Sequence, residues 1–488
     1  MALIDIVHLH FAHDTGHTVF EDVRLQLDTD WRLGLIGRNG RGKTTFLKLL
    51  RGDLPHGGDI NAPRIPMEYF PFPVERPDLS AIDVARQCVP DLEDWRLERE
   101  ASLLELPLDA LQRPYGTLSG GEATKLQLAA LFLRDDAFPL IDEPTNHLDL
   151  AARRTVGRYL RGKRGFVLVS HDRSLLDACI DHVLSINRAD IELQRGNFSS
   201  WQRNREWRDQ DEREAHDRLE HEVDRLKESA RRTATWSGIV EKEKYGHGPV
   251  DRGYIGHKAA RMMQRAKSVD ARRQKAVEEK SRLLHNIERQ EPLSMRPLAF
   301  HDRRLAELRN VSVERGGRVV VRDVSLSVMA GDRVALQGRN GCGKSTLLQL
   351  VAGHPFSFQG EVEIPGSLRV SYLPQDTDTA RGSVKEFARE KGIDEPLFRA
   401  VLHRLGLERS EFETDIASYS QGQKRKVLLA GSICQQAHLY IWDEPLNYID
   451  VISRMQLENL LLEHCPTLLF VEHDKAFLDR VATSVIQL

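Results

Sequence analysis

Two short stretches, GRNGRGKTT from Gly37 and GRNGCGKST from Gly338, space their glycines so that a loop can turn its backbone N–H groups inward. Such a loop suits phosphate. Lys43 and Lys344 can reach β- and γ-phosphates, and the next hydroxyls, Thr44 and Ser345, can ligate Mg2+. The candidate phosphate set is therefore Gly37, Asn39, Gly40, Gly42, Lys43, Thr44 and Thr45, repeated as Gly338, Asn340, Gly341, Gly343, Lys344, Ser345 and Thr346. Downstream, an apolar run ends in Asp142-Glu143 and, a second time, in Asp443-Glu444. The aspartate suits the metal's coordination shell, and the glutamate suits orienting or deprotonating an attacking water. His171 and His473 follow 28 and 29 residues later, each after another apolar run, where a side chain can meet the γ-phosphate. Taken singly, a glycine turn, an acidic pair or a histidine is more often structural. The same order occurring twice favours phosphoryl-transfer chemistry.

The elements that must carry these residues are duplicated too. The glycine loops, the Ser119 and Ser420 of LSGGE and YSQGQ, and Glu143 and Glu444 all stand 301 residues apart, and the histidines 302. A constant offset means a repeated domain, expected over 1–195 and 303–488 with 196–302 connecting the copies. Runs such as WRLGLIG, AFPLID and GFVLVS alternate with helical patterns, which predicts α/β domains with largely parallel sheets. The motifs follow these runs directly, as groups mounted at the carboxyl ends of strands do. The 488 residues are 40% hydrophobic and 29% charged with net charge −3, so no whole-surface attraction to nucleic acid is expected. No apolar run approaches the roughly 20 residues of a bilayer span, and the first residues lack the basic-then-apolar pattern of a secretion signal. Five scattered cysteines without a CxxC pair suggest reduced thiols and a cytoplasmic location.

With LSGGE added to the phosphate loops, the sequence resembles the ATP-binding cassette (ABC) ATPases over most of its length. The resemblance implies two tandem ABC-type P-loop ATPase domains that bind ATP and Mg2+. It also implies composite sites, with Ser420, Gln421, Gly422 and Gln423 capping the nucleotide on Lys43. Ser119, Gly120, Gly121 and Glu122 would cap the one on Lys344. Gln375 of YLPQ matches the family's Q-loop residue near metal and water, whereas YFPF puts Phe72 there in the first copy. Phe11 is the candidate for stacking on adenine, and the matching stretch NVSVERGG offers no aromatic. Metal-ligand candidates are thus Thr44, Asp142, Ser345, Gln375 and Asp443, and two sites of unequal turnover are expected.

EPTNHLDL and a charged connection between the copies resemble the ABC-F family, whose members act on ribosomes. EPLNYIDV and GYIGHKAARMMQRAKS are similar to its antibiotic-resistance branch of Lsa type. Phe72 to Ser119 is 47 residues and Gln375 to Ser420 is 45, so no extra arm is expected, nor a tail after Leu488.

The connecting stretch reads as two helices. Leu219, Val223, Leu226 and Ala230, then Met262, Ala266, Val269, Ala276, Leu283 and Ile287, fit a shared apolar seam. An antiparallel hairpin is expected, with YGHGPVDRGYIGHK within its tip at about 236–258. Helices of 35–40 residues would project it roughly 50–60 Å. Residues 204–228 carry six Lys/Arg against ten Asp/Glu, and residues 229–275 carry twelve against four. A basic far end bearing Trp236, Tyr245 and Tyr254 suits stacking on RNA bases, although a solvated spacer explains the charge equally. Candidate contacts are Trp236, Tyr245, Tyr254, Ile255, Lys258, Arg261, Arg265 and Lys267.

The resemblance implies a monomeric ribosome-protection ATPase that enters the E site of the 70S ribosome. It would push the hairpin toward P-site tRNA and 23S rRNA, dislodging lincosamides, pleuromutilins or streptogramin A. A drug-independent translation factor and the ATPase subunit of a transporter are the competing readings. Neither a membrane nor DNA is expected as partner.

Overall fold

The computed structural model describes residues 2–12, 18–62, 65–89, 92–134, 136–145, 148–187, 191–208, 293–339 and 341–488, with isolated helical positions between 210 and 271. The chain divides into one unit of residues 1–198 with 290–488, holding both copies, and a second of residues 199–289.

The first copy runs β1 (Leu3–Ala12), β2 (Thr18–Asp28), β3 (Arg32–Gly37), α1 (Lys43–Arg51), β4 (Gly57–Asn61), β5 (Met67–Phe70), α2 (Ala81–Cys88) and α3 (Asp94–Leu103). It continues with α4 (Gly120–Leu131), β6 (Phe138–Asp142), α5 (Leu150–Arg161), β7 (Phe166–Val169), α6 (Arg173–Cys179), β8 (His182–Ile186) and β9 (Ile191–Arg195). The second copy runs β10 (Arg304–Arg315), β11 (Arg318–Met329), β12 (Arg333–Gln337), α7 (Lys344–Val351), β13 (Ser357–Glu363), β14 (Val370–Leu373), α8 (Val384–Glu390) and α9 (Glu395–Arg404). After it come α10 (Gln421–Cys434), β15 (Leu439–Asp443), α11 (Val451–His464), β16 (Leu468–Val471), α12 (Lys475–Val481) and β17 (Ser484–Gln487).

Each copy pairs a parallel sheet with a smaller antiparallel one. The parallel sheets have the orders β5-β6-β7-β3-β8-β9 and β14-β15-β16-β12-β17, with β9 antiparallel to β8. Their central strands are buried on both faces, which is why FVLV, LYIWD and LLFV are unbroken apolar runs. The antiparallel sheets β2-β1-β4 and β11-β10-β13 were not foreseen in the sequence. Their strands alternate buried and exposed residues, and β1 and β10 pair with irregular register.

Between the two sheets of the first copy lies a core of Ile4, Ile6, Leu9, Phe20, Leu35, Phe46 and Val169, among others. Leu308, Val313, Leu336, Leu347 and Val471 do the same in the second. A further core joins α8, α9, α10 and α11 through Phe387, Phe398, Leu429 and Leu457, and it also takes in Leu293 and Met295. Leu298 N–H donates to Ala437 O at 2.9 Å. Residues 293–298 therefore pack on the second copy, so its boundary lies before the expected 303.

Candidate active site

Parallel registry brings the motifs to one edge of each sheet. Asp142, ending β6, is level with Val169 of β7, which is level with Leu35 two residues before the glycine loop. Asp443, Val471 and Leu336 repeat the arrangement. The loops themselves demand glycine at one point. Gly42 and Gly343 precede α1 and α7 with φ of 86° and 94°, and a Cβ there would lie 2.4 Å and 2.5 Å from Val19 Cγ1 and Val321 Cγ2.

Each loop wraps its own lysine. Lys43 Nζ donates to Gly37 O at 2.8 Å, Arg38 O at 3.2 Å and Asn39 Oδ1 at 3.3 Å. Lys344 Nζ donates to Gly338 O and Arg339 O, both at 2.9 Å. Burial lowers the Lys43 pKa, while Asp450, Glu143 and Asp142 oppose that shift. An ammonium held at the N-terminus of a helix suits a polyphosphate.

Thr44 Oγ1 donates to Asp142 Oδ2 at 2.8 Å, and the Tyr69 hydroxyl donates to the same oxygen at 2.7 Å. In the second copy Ser345 bonds Asp443, whose carboxyl burial pushes up to about 6. Asp443 is 1% exposed and its Oδ1 has no partner among the described residues. A hydroxyl and a buried carboxylate with an unsatisfied oxygen fit Mg2+ and its water shell. Gln375 is exposed just after β14. In the first copy Phe72 contributes its carbonyl to Gln127 Nε2 at 3.2 Å.

Glu143 and Glu444 share a left-handed backbone with φ of 52°, and their N–H groups donate to Val169 O and Val471 O at 2.9 Å. His171 Nε2 stands 3.3 Å from Glu143 Oε1, though that oxygen has no hydrogen-bond partner among the described residues, and His473 Nε2 stands 3.9 Å from Glu444 Oε1. Burial first, then Asp142, pushes Glu143 up to about 7. Burial pushes His473 down to about 4, and burial with Lys43 and Arg454 holds His171 well below its ordinary value. Both histidines are neutral at pH 7, and each site sets a partly buried carboxyl beside an imidazole able to exchange hydrogen bonds with phosphate or water.

Ser119 and Ser420 cap α4 and α10 in matched capping boxes. Ser119 N–H donates to Glu122 Oε2 at 2.8 Å and Ser420 N–H to Gln423 Oε1 at 2.8 Å, with the return bonds both at 3.3 Å. Glu122 and Gln423 are thus turned toward their own helix starts, each also meeting a neighbour, Arg113 or Glu411. Gln421 accepts from Thr377, so its side chain too is turned toward its own copy. Gly120, Gly121 and Gly422 open the capped helices.

The two copies meet at these edges. Asn39 Nδ2 donates to Tyr448 O at 2.7 Å, and Tyr448 Cβ lies 3.4 Å from where a Cβ on Gly422 would be. One residue of the second copy therefore neighbours both the first glycine loop and the second signature. Phe11 is 7% exposed within the β1–β2 core, which leaves little of its ring for a base to stack on. Asn340, Trp236, Tyr245, Tyr254, Ile255, Lys258, Arg265 and Lys267 lie outside the described residues, and Arg261 is an exposed helical position.

Several contributors escaped sequence reading. Tyr69 bonds the first aspartate. Arg425 donates to Glu444 O at 2.6 Å and also to Asp443 O and Pro374 O. Its counterpart Thr124 is too short to do so. Arg153 and Arg454 stand 301 apart, a signal the repeat offset could have supplied. Glu472 takes the place of Ser170 and accepts from Leu446 N–H at 3.0 Å and His473 N–H at 2.7 Å.

The family model described as ABC transporter matches residues 20–146 and 321–447, just over half of the chain. Among curated proteins, the chain is 29% identical over 481 residues to the ribosome protection protein VmlR of Bacillus subtilis, spanning 96% of this chain and 83% of that one. It is also 29% identical over 488 residues to the ATP-binding protein Uup of Caulobacter vibrioides, spanning 97% and 75%. A solved complex of archaeal ribosomal stalk protein aP1 with the ribosome recycling factor aABCE1 contains a chain of similar fold. Its TM-score is 0.65 at 19% identity, covering 98% of this chain and 87% of that one.

Proposed function

The chain belongs to the ABC transporter family and is an ATPase, and on that footing we propose that it is an ABC-F protein that protects ribosomes from antibiotics. The observation that carries the reading is the pairing of two facing cassettes on one chain with similarity to a ribosome protection protein over 96% of its length. No helix among the described residues is long and apolar enough to cross a membrane.

In this reading Lys43 and Lys344 bind the β- and γ-phosphates of two ATP molecules. Thr44 with Asp142, and Ser345 with Asp443 and Gln375, hold Mg2+, which neutralises phosphate charge when bound. Glu143 and Glu444 hold or accept the proton of the attacking water, and His171 and His473 orient the γ-phosphate. Signature residues Ser119 and Ser420 close each site from the opposite cassette, so nucleotide joins the copies and hydrolysis parts them. The segment 196–302 reaches P-site tRNA and 23S rRNA from the E site of the 70S ribosome, with contacts among the residues around 236–267. The protein acts in the cytoplasm as a monomer of the Lsa type, on lincosamides, pleuromutilins and streptogramin A.

The test is expression in a susceptible host. Inhibitory concentrations for these three classes should rise several-fold with the natural sequence and not with the Glu143→Gln/Glu444→Gln double variant. No rise for any class, with purified protein still hydrolysing ATP, would remove the protection claim. Altered polysome profiles in drug-free cells lacking the gene would then favour a drug-independent translation factor.

A further inference from the structure

The turns that carry the two histidines are held by arginines from the opposite copy, and they are held unequally. Arg454, one turn into α11, donates from Nε to Ile449 O at 2.8 Å and from Nη2 to Leu446 O at 3.0 Å. Its Nη1 reaches Asp474 Oδ2 at 3.0 Å and, in the first copy, His171 O at 3.0 Å. Arg153 mirrors it more loosely, with Leu148 O at 3.0 Å and both Asp172 Oδ2 and the opposite copy's His473 O at 3.4 Å.

One turn beyond Arg454, the symmetry ends. Glu458 is fully buried and accepts from Arg173, the second residue after His171, with Nη1 to Oε2 at 3.2 Å and a closer Nη2 contact. Arg480 braces the same carboxylate at 3.0 Å. At the position of Glu458 the first copy has Gly157, and at that of Arg173 the second has the exposed Lys475. The first histidine turn is therefore gripped by two side chains of α11, and the second by one.

We infer that Arg454 and Glu458, with Arg173, are positioning residues that make turnover at the Lys43 site depend on the registry of the second cassette. A bidentate arginine–carboxylate pair in a dry interface fixes direction as well as distance. A shift of this turn moves His171 relative to Glu143, and misplacement of about 1 Å costs on the order of a hundredfold in rate. The lever operates on ATP hydrolysis, so it stands or falls separately from the ribosomal reading.

The test compares steady-state ATP hydrolysis and melting of the full chain with those of Arg173→Ala, Arg173→Lys and Lys475→Ala. Arg173→Ala is expected to lower kcat about tenfold with little change in KM. Arg173→Lys should recover part of that loss, and Lys475→Ala should match the parent. Should Arg173→Ala not fold, Glu458→Gln, which keeps volume and removes charge, carries the same expectation. Undiminished kcat in Arg173→Ala or Glu458→Gln overturns the inference. So does an equal loss in Lys475→Ala, or a loss that Arg173→Lys leaves wholly unrepaired.

Discussion

Glu143 and Glu444 have the same backbone but different neighbours. His171 is closer to its glutamate than His473 is, at 3.3 Å against 3.9 Å, and Arg425 braces only the second strand end. Glu143→Gln and Glu444→Gln, measured singly, should each lower turnover, on the order of a hundredfold where the glutamate acts as base, and by unequal factors. Equal losses would count against distinct sites. Glu472 makes a second residue-level case. Burial pushes its carboxyl up to about 7, against the opposing field of Arg454. The folded protein therefore keeps a proton there that the unfolded chain releases nearer pH 4.5. That contribution to stability is full below pH 4.5 and is lost as pH rises through 7, up to about 3 kcal/mol. Relative to Glu472→Gln, the parent should melt a few degrees lower at pH 8 than the comparison at pH 5 shows. A difference constant with pH would exclude the assignment. None of this was legible in the sequence, because Glu472 meets the Leu446 N–H only after two strands have aligned.

Helix starts tie chemistry to folding at the next scale. Ser420 caps α10 while standing where a signature serine would face nucleotide, and Ser119 does the same for α4. Ser420→Ala should cost about 1 kcal/mol of stability and also weaken turnover at the Lys43 site. Ser119→Ala should behave alike at the Lys344 site, and titrating ATP against hydrolysis beside melting separates the two effects. A variant that melts lower while its turnover is unchanged would make its serine a cap alone. Glycine loops after apolar runs are local patterns and were readable, whereas the helix caps of Ser119 and Ser420 came only with the structure. The antiparallel sheets were not readable, since the irregular pairing of β1 and β10 blurs the two-residue period. The arginines that cross between copies bond atoms 283 and 320 residues away, and no local pattern encodes that.

For the whole molecule the repeat offset was the most informative single observation. It implied two matched cassettes before any coordinate, and both lie in one unit. The segment between them is where sequence and structure share least. Its candidate contacts rest on charge balance and aromatic content, with most of those positions outside the described residues. Deleting part of segment 245–258, or replacing Tyr254 and Ile255 with alanine, should weaken protection in the growth assay while purified protein keeps its basal ATPase. Parallel loss of both activities would make the segment part of the scaffold.

The left-handed backbone of Glu143 and Glu444 carries one more consequence. A side chain in that conformation costs roughly 1–2 kcal/mol that glycine avoids, and desolvation of the Glu143 carboxyl adds to that cost. Repeated selection for heat resistance alone would favour glycine or asparagine at both places and recover sturdier proteins that no longer turn over. At these two positions of 488, evolution for durability and evolution for work run in opposite directions.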